Sequence, residues 1–181
     1  ETAVIVRRAG DVVPEIVRTV PSIGDESLTR YVMPTKCPSC DSPLVRLQGA
    51  VELYCPGGIK CPAQKQGKLA HFGSRLGMNI DNLGDKSVST LIAAGLISMP
   101  SDLYNLNDKV VAPLPGFGTV SAKNLIAGIE GSKAPELPRF IFSLGIEGVG
   151  EATSKALAAQ FGSWSAFRAA TYAQLLATAD V

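Results

Sequence analysis

Two stretches near the start of the chain, residues 2–7 and 12–20, are mostly apolar and rich in valine and isoleucine. Such runs of β-branched residues predict β-strands, here joined near Ala9-Gly10-Asp11. An isolated hairpin is marginal, so these strands are expected to belong to a larger sheet. Residues 21–33 are polar and read as a link. A shorter alternation in residues 44–47 and 51–54, around Gln48-Gly49-Ala50, predicts a second hairpin. Beyond it the pattern turns helical. Helices are expected around residues 121–127 and 153–159, each preceded by another, at 103–107 and 137–144. His71-Phe72 reads as the start of one more. Phe161, Trp164 and Phe167 fall at helical spacing and are expected in a core. The fold class is therefore mainly α with small β parts.

Three segments of the helical region repeat one another: Ile80-Asp81-Asn82-Leu83-Gly84, Leu114-Pro115-Gly116-Phe117-Gly118 and Ile146-Glu147-Gly148-Val149-Gly150. Counted from the final glycine, position −2 is Asn82, Gly116 or Gly148, the residue types that tolerate positive φ. Position +3 is Ser87, Ser121 or Thr153, and position +7 is Leu91, Leu125 or Leu157. The final glycines lie 34 and 32 residues apart. Each unit reads as helix, tight turn, helix. Extrapolation places a fourth turn at the chain's end, with Asp180 at the φ-tolerant position, so a fourth unit is expected to be cut short. The aromatic and Thr-Pro-Leu-His signatures of tetratricopeptide and ankyrin repeats are absent. Gly145-x-x-Gly148-x-Gly150 lacks the spacing and βαβ frame of a dinucleotide site.

A glycine-rich bend that opens a helix presents unpaired backbone N–H groups and the positive end of the helix dipole. Together these can hold a phosphate without a cationic side chain. The candidate binding residues are thus Gly84, Gly116, Gly118, Gly148 and Gly150 in the turns. Ser87, Ser121 and Thr153 are candidate hydroxyl donors, and Lys86, Lys123 and Lys155 candidate charges. Such contacts read no bases, so duplex binding is expected to be independent of sequence.

Four cysteines lie between the two regions, as Cys37-x2-Cys40, fourteen residues, then Cys55-x5-Cys61. Two cysteine loops on a small hairpin suit one tetrahedral ion, and four thiolates leave no open position for an activated water. Structural zinc is the expectation. Two disulfides are the alternative, but all four cysteines fall within 25 residues of a larger chain with no secretory signal. A redox pair at Cys37 and Cys40 lacks its usual βαβ context. His71, the sole histidine, is not needed as a ligand and is expected to pack or to cap a helix.

Charge adds one point. The chain of 181 residues is nearly neutral at +1. Residues 34–75 carry six basic and two acidic side chains, whereas residues 76–181 carry seven basic and nine acidic. Diffuse attraction therefore cannot explain anion binding by the repeats. No apolar run reaches the roughly 20 residues of a membrane span, and no membrane partner is expected.

With these motifs in order, the sequence resembles the bacterial NAD-dependent DNA ligases. The residues that carry the likeness are Val6-Arg7-Arg8-Ala9-Gly10-Asp11-Val12-Val13-Pro14, the four-cysteine module, His71-Phe72 and the serial hairpins. The resemblance implies the end of an OB-fold with its linker (1–33), a four-cysteine zinc-ribbon-like module (34–66) and a tandem helix-hairpin-helix domain (67–181). It implies a parent enzyme that seals nicks in replication and repair, using NAD and magnesium. Zinc is the one cofactor expected in this part. It also implies that Arg8, Val12 and Val13 face the minor groove at the nick. Nicked double-stranded DNA is the expected partner of a cytoplasmic, nucleoid-associated monomer. No Lys-x-Asp-Gly adenylation motif occurs in the sequence, and the family's nucleotide pocket and BRCT domain are not found. The chain is therefore expected to be a non-catalytic fragment. A stand-alone zinc and helix-hairpin-helix module of another repair protein is the alternative. A helical-repeat protein-interaction domain with a zinc staple is a third reading.

Overall fold

The computed structural model describes residues 3–10, 12–20, 29 and 31–178, and the glycine-turn position expected at Asp180 lies outside them. The chain divides into two compact units, residues 1–35 and 36–181.

In the first unit β1 (Ala3–Ala9) pairs antiparallel with β2 (Val13–Val20), with a bulge between Ile5 and Val6. The turn passes through Gly10 at φ 58°. Nearly every side chain is exposed, on both faces: Val6 is 54% exposed on one and Val13 64% on the other. β-branched residues favour this pleated backbone, yet the two strands bury almost nothing by themselves. They have the composition of a sheet with neighbours.

The second unit is helical. Its elements are α1 (Pro62–Gly73), α2 (Asp85–Ala93), α3 (Asp108–Val111), α4 (Thr119–Gly131), α5 (Leu137–Ser143), α6 (Glu151–Phe161), α7 (Trp164–Arg168) and α8 (Tyr172–Leu176). A 3-10 helix, Pro100–Asn105, stands where residues 103–107 suggested an α-helix. Asp102 explains its start: the carboxylate accepts N–H bonds from Ser98 at 2.8 Å and Met99 at 3.0 Å. Asn107 then caps α3 by accepting from Lys109 and Val110. Two short caps in succession leave no room for one continuous helix.

The repeated apolar positions build the core. Leu91 and Leu125 are fully buried and Leu157 is 2% exposed. The first two hairpins share one core, in which Leu69, Phe72, Val88, Leu103, Val111 and Ile129 pack together. The third hairpin has a smaller one of Ile141, Leu157 and Ala158, with Phe161 and Phe167 against it. Those two aromatics pack as expected. Trp164 sits at the rim, 36% exposed, edge-on to Phe140 with ring centroids 4.9 Å apart. Gly128 lets α4 lie on the first hairpin, since a Cβ there would stand 2.9 Å from the Asp81 carbonyl oxygen.

Candidate metal centre and anion-binding hairpins

The cysteine loops converge. The four Sγ atoms all lie within 4.8 Å of one another, with Cys37 3.9 Å from Cys61 and Cys40 3.5 Å from Cys55. Tetrahedral Zn–S bonds of about 2.3 Å require sulfurs about 3.8 Å apart, so the donor set fits zinc in number, type and spacing. The predicted hairpin between the loops is reduced to one bridge pair, in which Val45 and Tyr54 exchange N–H···O bonds of 3.0 Å. Beyond that pair the backbone follows the loops rather than a ladder, so the module has little cohesion without its ion. The N–H groups of Ser39 and Gly57 donate to Cys37 and Cys55 at 3.4 and 3.3 Å, as charged thiolates require. Hydrogen bonds from the Ser42 side chain and backbone hold Cys40 down to about 6. Cys55 behaves oppositely. The Gly57 N–H favours its thiolate, but burial and the neighbouring thiols push it up to about 12. Four thiolates cannot share this space without a cation, and zinc supplies one.

The module is built into the helix that follows. Cys61 is the N-cap of α1, and Pro62 opens it, where proline's missing N–H costs nothing. Ala63 N–H donates to Ser39 Oγ at 3.2 Å, and the Gln64 amide donates to the Cys55 carbonyl at 2.7 Å. Helix α1 therefore runs unbroken from the last ligand to Gly73. His71 lies in its last turn, not at the start of a helix, and does not approach the cysteine cluster.

The three glycine turns share one geometry. The N–H at position −1 donates to the carbonyl at −4: Leu83 to Ile80 at 3.3 Å, Phe117 to Leu114 at 3.0 Å, Val149 to Ile146 at 3.0 Å. The residue at −2 is left-handed each time, with φ 66° at Asn82, 81° at Gly116 and 79° at Gly148. That pairing defines a type II turn and explains the Asn/Gly preference. The final glycines are N-caps in extended conformation, with φ −87° at Gly84, −159° at Gly118 and −86° at Gly150. Helical bonding begins four residues on, from Val88, Ala122 and Ser154, each at 2.9 Å.

The final glycine therefore needs no special φ, and a bulky residue there would not strain the backbone. Nor does the fold fill the space, since a Cβ at Gly84, Gly118 or Gly150 would meet nothing within 4 Å. The absence of a side chain leaves three bare N-caps open to solvent, over first-turn amides the helix does not use.

The flanking side chains differ among the hairpins. Ser121 accepts from the Gly118 N–H at 2.9 Å and donates to the Gly118 carbonyl at 3.2 Å. Its hydroxyl thus closes the cap rather than pointing outward. Thr153 is buried and Ser87 half-buried. Lys86 and Lys123 are exposed and form no ion pair among the described residues. Lys155 pairs with Glu151 at 2.7 Å, and that contact holds the Glu151 carboxyl below its ordinary range. Asp85 and Glu151 occupy the first turns of α2 and α6, whereas α4 has no acid there. The positive end of the helix dipole is therefore least offset at Gly118.

In the strand unit Arg8, Val12 and Val13 stand at the turn end of the β-hairpin, where Arg8 faces Pro14 and Ala9 faces Val13. All three are exposed, Val12 at 83% and Val13 at 64%. Arg7 is tied to Glu15 at 3.1 Å. No helix among the described residues is long and apolar enough to cross a membrane.

Known proteins match both parts of the site. Residues 36–63 match the NAD-dependent DNA ligase C4 zinc finger domain, and residues 139–181 match a helix-hairpin-helix motif. Over 178 residues, 98% of this chain, the sequence is 47% identical to a DNA ligase of Methylococcus capsulatus. Over the same length it is 44% identical to one of Francisella philomiragia and 43% identical to one of Alkalilimnicola ehrlichii. The chain spans 26% of the length of each of these relatives.

Proposed function

From the premise that this chain is homologous to part of the bacterial DNA ligases and carries the C4 zinc finger of their NAD-dependent family, we propose that it grips the backbone of nicked duplex DNA. The grip is made by main-chain amides at the hairpins. The observation that carries this reading is the threefold repetition of a type II turn ending in a bare, extended glycine N-cap. Folding alone asks for a left-handed residue at −2, but it does not ask for glycine at the cap, where serine or aspartate caps better. A ligand that must approach the amides closely does ask for it. Helices α2, α4 and α6 would each hold a phosphate, with Lys86 and Lys123 adding charge. Arg8, Val12 and Val13 would meet the minor groove from the strand unit.

In this reading the whole protein seals nicks with NAD and magnesium, and the adenylating lysine lies outside this sequence. Zinc is structural, since its four thiolates leave no coordination position for chemistry. The protein acts as a cytoplasmic monomer. Similarity to ligases along 98% of the chain favours that setting over a stand-alone repair module. The test is a titration of nicked duplexes of differing sequence with Gly118→Leu, Gly150→Leu and Lys123→Ala variants, folding being checked by circular dichroism. The glycine variants are expected to lose affinity equally for every sequence. Lys123→Ala is expected to lose less and to flatten the salt dependence by about one charge. Folded glycine variants that bind like the parent, beside a Lys123→Ala variant that does not bind, would show that side-chain charge carries the interaction.

A further inference from the structure

The third hairpin rests on a smaller core than the other two, and its Ile146 is 41% exposed. Something besides apolar packing must hold it in place. Two side chains join α5, the helix that leads into it, to the first hairpin. Arg139 donates from Nη1 to the carbonyls of Arg75 at 2.6 Å and Gly77 at 2.8 Å, just beyond α1. From the other side, His71 Nε2 lies 2.8 Å from the Phe142 carbonyl oxygen. A carbonyl only accepts, so Nε2 carries the proton in this contact. The Phe142 carbonyl also accepts from Gly145 N–H at 3.0 Å. The imidazole lies tilted on the Phe142 ring, centroids 4.8 Å apart, and its Cδ2 would be 3.2 Å from a Cβ on Gly145. Gly145, at φ 60°, is where the chain leaves α5 for the turn.

We propose that His71 is a positioning residue for the third hairpin. It clamps the carboxyl end of α5 and so fixes the register in which the Gly148–Gly150 turn stands relative to the first two. The clamp rests on the DNA-binding reading only for its consequence. Three phosphate sites on one rigid strand must hold fixed spacings to be engaged together, and His71 sets the last spacing. It does so from the helix whose N-cap is Cys61, so the zinc module and the third hairpin are tied to opposite ends of one element.

The experiment compares His71→Phe, which keeps a ring but loses the donor, with His71→Gln, which keeps an N–H at similar reach. Amide hydrogen exchange on the free proteins is the first readout. His71→Phe is expected to speed exchange at residues 145–150 while leaving 80–84 and 114–118 unchanged, and His71→Gln to restore slow exchange. Loss of one such hydrogen bond corresponds to roughly two- to tenfold. The second readout is nicked-duplex affinity in a double-variant cycle. His71→Phe should weaken binding by a similar factor in the parent and in Gly118→Leu, but add nothing in Gly150→Leu. Exchange that rises equally at all three hairpins, or not at all, would overturn the clamp. So would equal losses in both glycine backgrounds. If the parent fails to bind DNA, the functional reading falls while the exchange data still decide the clamp.

Discussion

Two glycines two positions apart do opposite work in the middle hairpin. Gly116, at φ 81°, is required by the turn, whereas Gly118, at φ −159°, is not required by the fold. Gly116→Ala should therefore cost about 1–2 kcal/mol, the penalty of a Cβ in the left-handed region. Gly118→Ser should change stability by no more than a few tenths of a kcal/mol, because both residues serve as N-caps. Urea denaturation of the two variants checks the contrast, and equal losses would contradict it. The −2 positions are legible in the sequence because left-handed geometry admits few residue types. The role of the +3 hydroxyl is not. Ser121 faces its own cap, and nothing in the spacing separates a hydroxyl that closes a cap from one that reaches a ligand. His71 is harder still, since its partner Phe142 is 71 residues away and no local pattern announces such a contact.

At the scale of elements, the zinc loops are readable because ligand chemistry fixes both residue type and spacing. The strands expected between them shrink to one bridge, since with so little apolar surface the loops shape the backbone. The helix leading into the first hairpin starts nine residues before His71-Phe72 would place it, at Pro62. Its start is set by Cys61 and Pro62 inside the cysteine module, where a pattern read for loops hides a helix cap. The consequence is that metal and helix are coupled. Structural zinc contributes on the order of 10–16 kcal/mol of binding free energy in small modules. Stripping it with a chelator, or making Cys55→Ser, should unfold residues 37–61 and fray the first turn of α1, while α2 and α4 persist on the core of Leu91, Leu125 and Ile129 and α6 on that of Ile141 and Leu157. Metal analysis and residue-resolved hydrogen exchange test this; well under one zinc per reduced chain would refute it. Acid should act in the same direction as the chelator. Zinc must displace the thiol protons, and Cys55, at about 12 without metal, releases its proton least readily. Affinity for zinc, and the stability it confers, therefore fall as pH falls.

Across the whole molecule, we propose that binding and chemistry separate. The sequence contains no Lys-x-Asp-Gly, the adenylation motif that the resemblance to ligases implies for the parent enzyme. Incubation with labelled NAD and magnesium should leave no covalent AMP on the chain, and a stable adduct on any lysine would contradict this. What remains is a surface of repeated amide sites on a nearly neutral protein, with a two-stranded hairpin that exposes apolar residues on both faces. The order of these parts can be read from the sequence because each has its own mark: runs of valine and isoleucine for the strands, a period of about 3.6 for the helices, and one of 32 to 34 residues for the hairpins. The contacts that tie the third hairpin to the first cannot, because they run through single side chains, Arg139 and His71.

The proposed grip on the duplex rests on bare amides at the hairpin caps more than on side chains. Its most direct test is Gly118→Asp, measured for both stability and nicked-duplex affinity. Aspartate is a better N-cap than glycine by a few tenths of a kcal/mol and suits the helix dipole, and its Cβ meets nothing within 4 Å. Its carboxylate would occupy the same first-turn amides that a phosphate needs. The variant should be at least as stable as the parent and should lose its DNA affinity for every sequence tested. A stable Gly118→Asp variant that binds nicked duplex as tightly as the parent would contradict it.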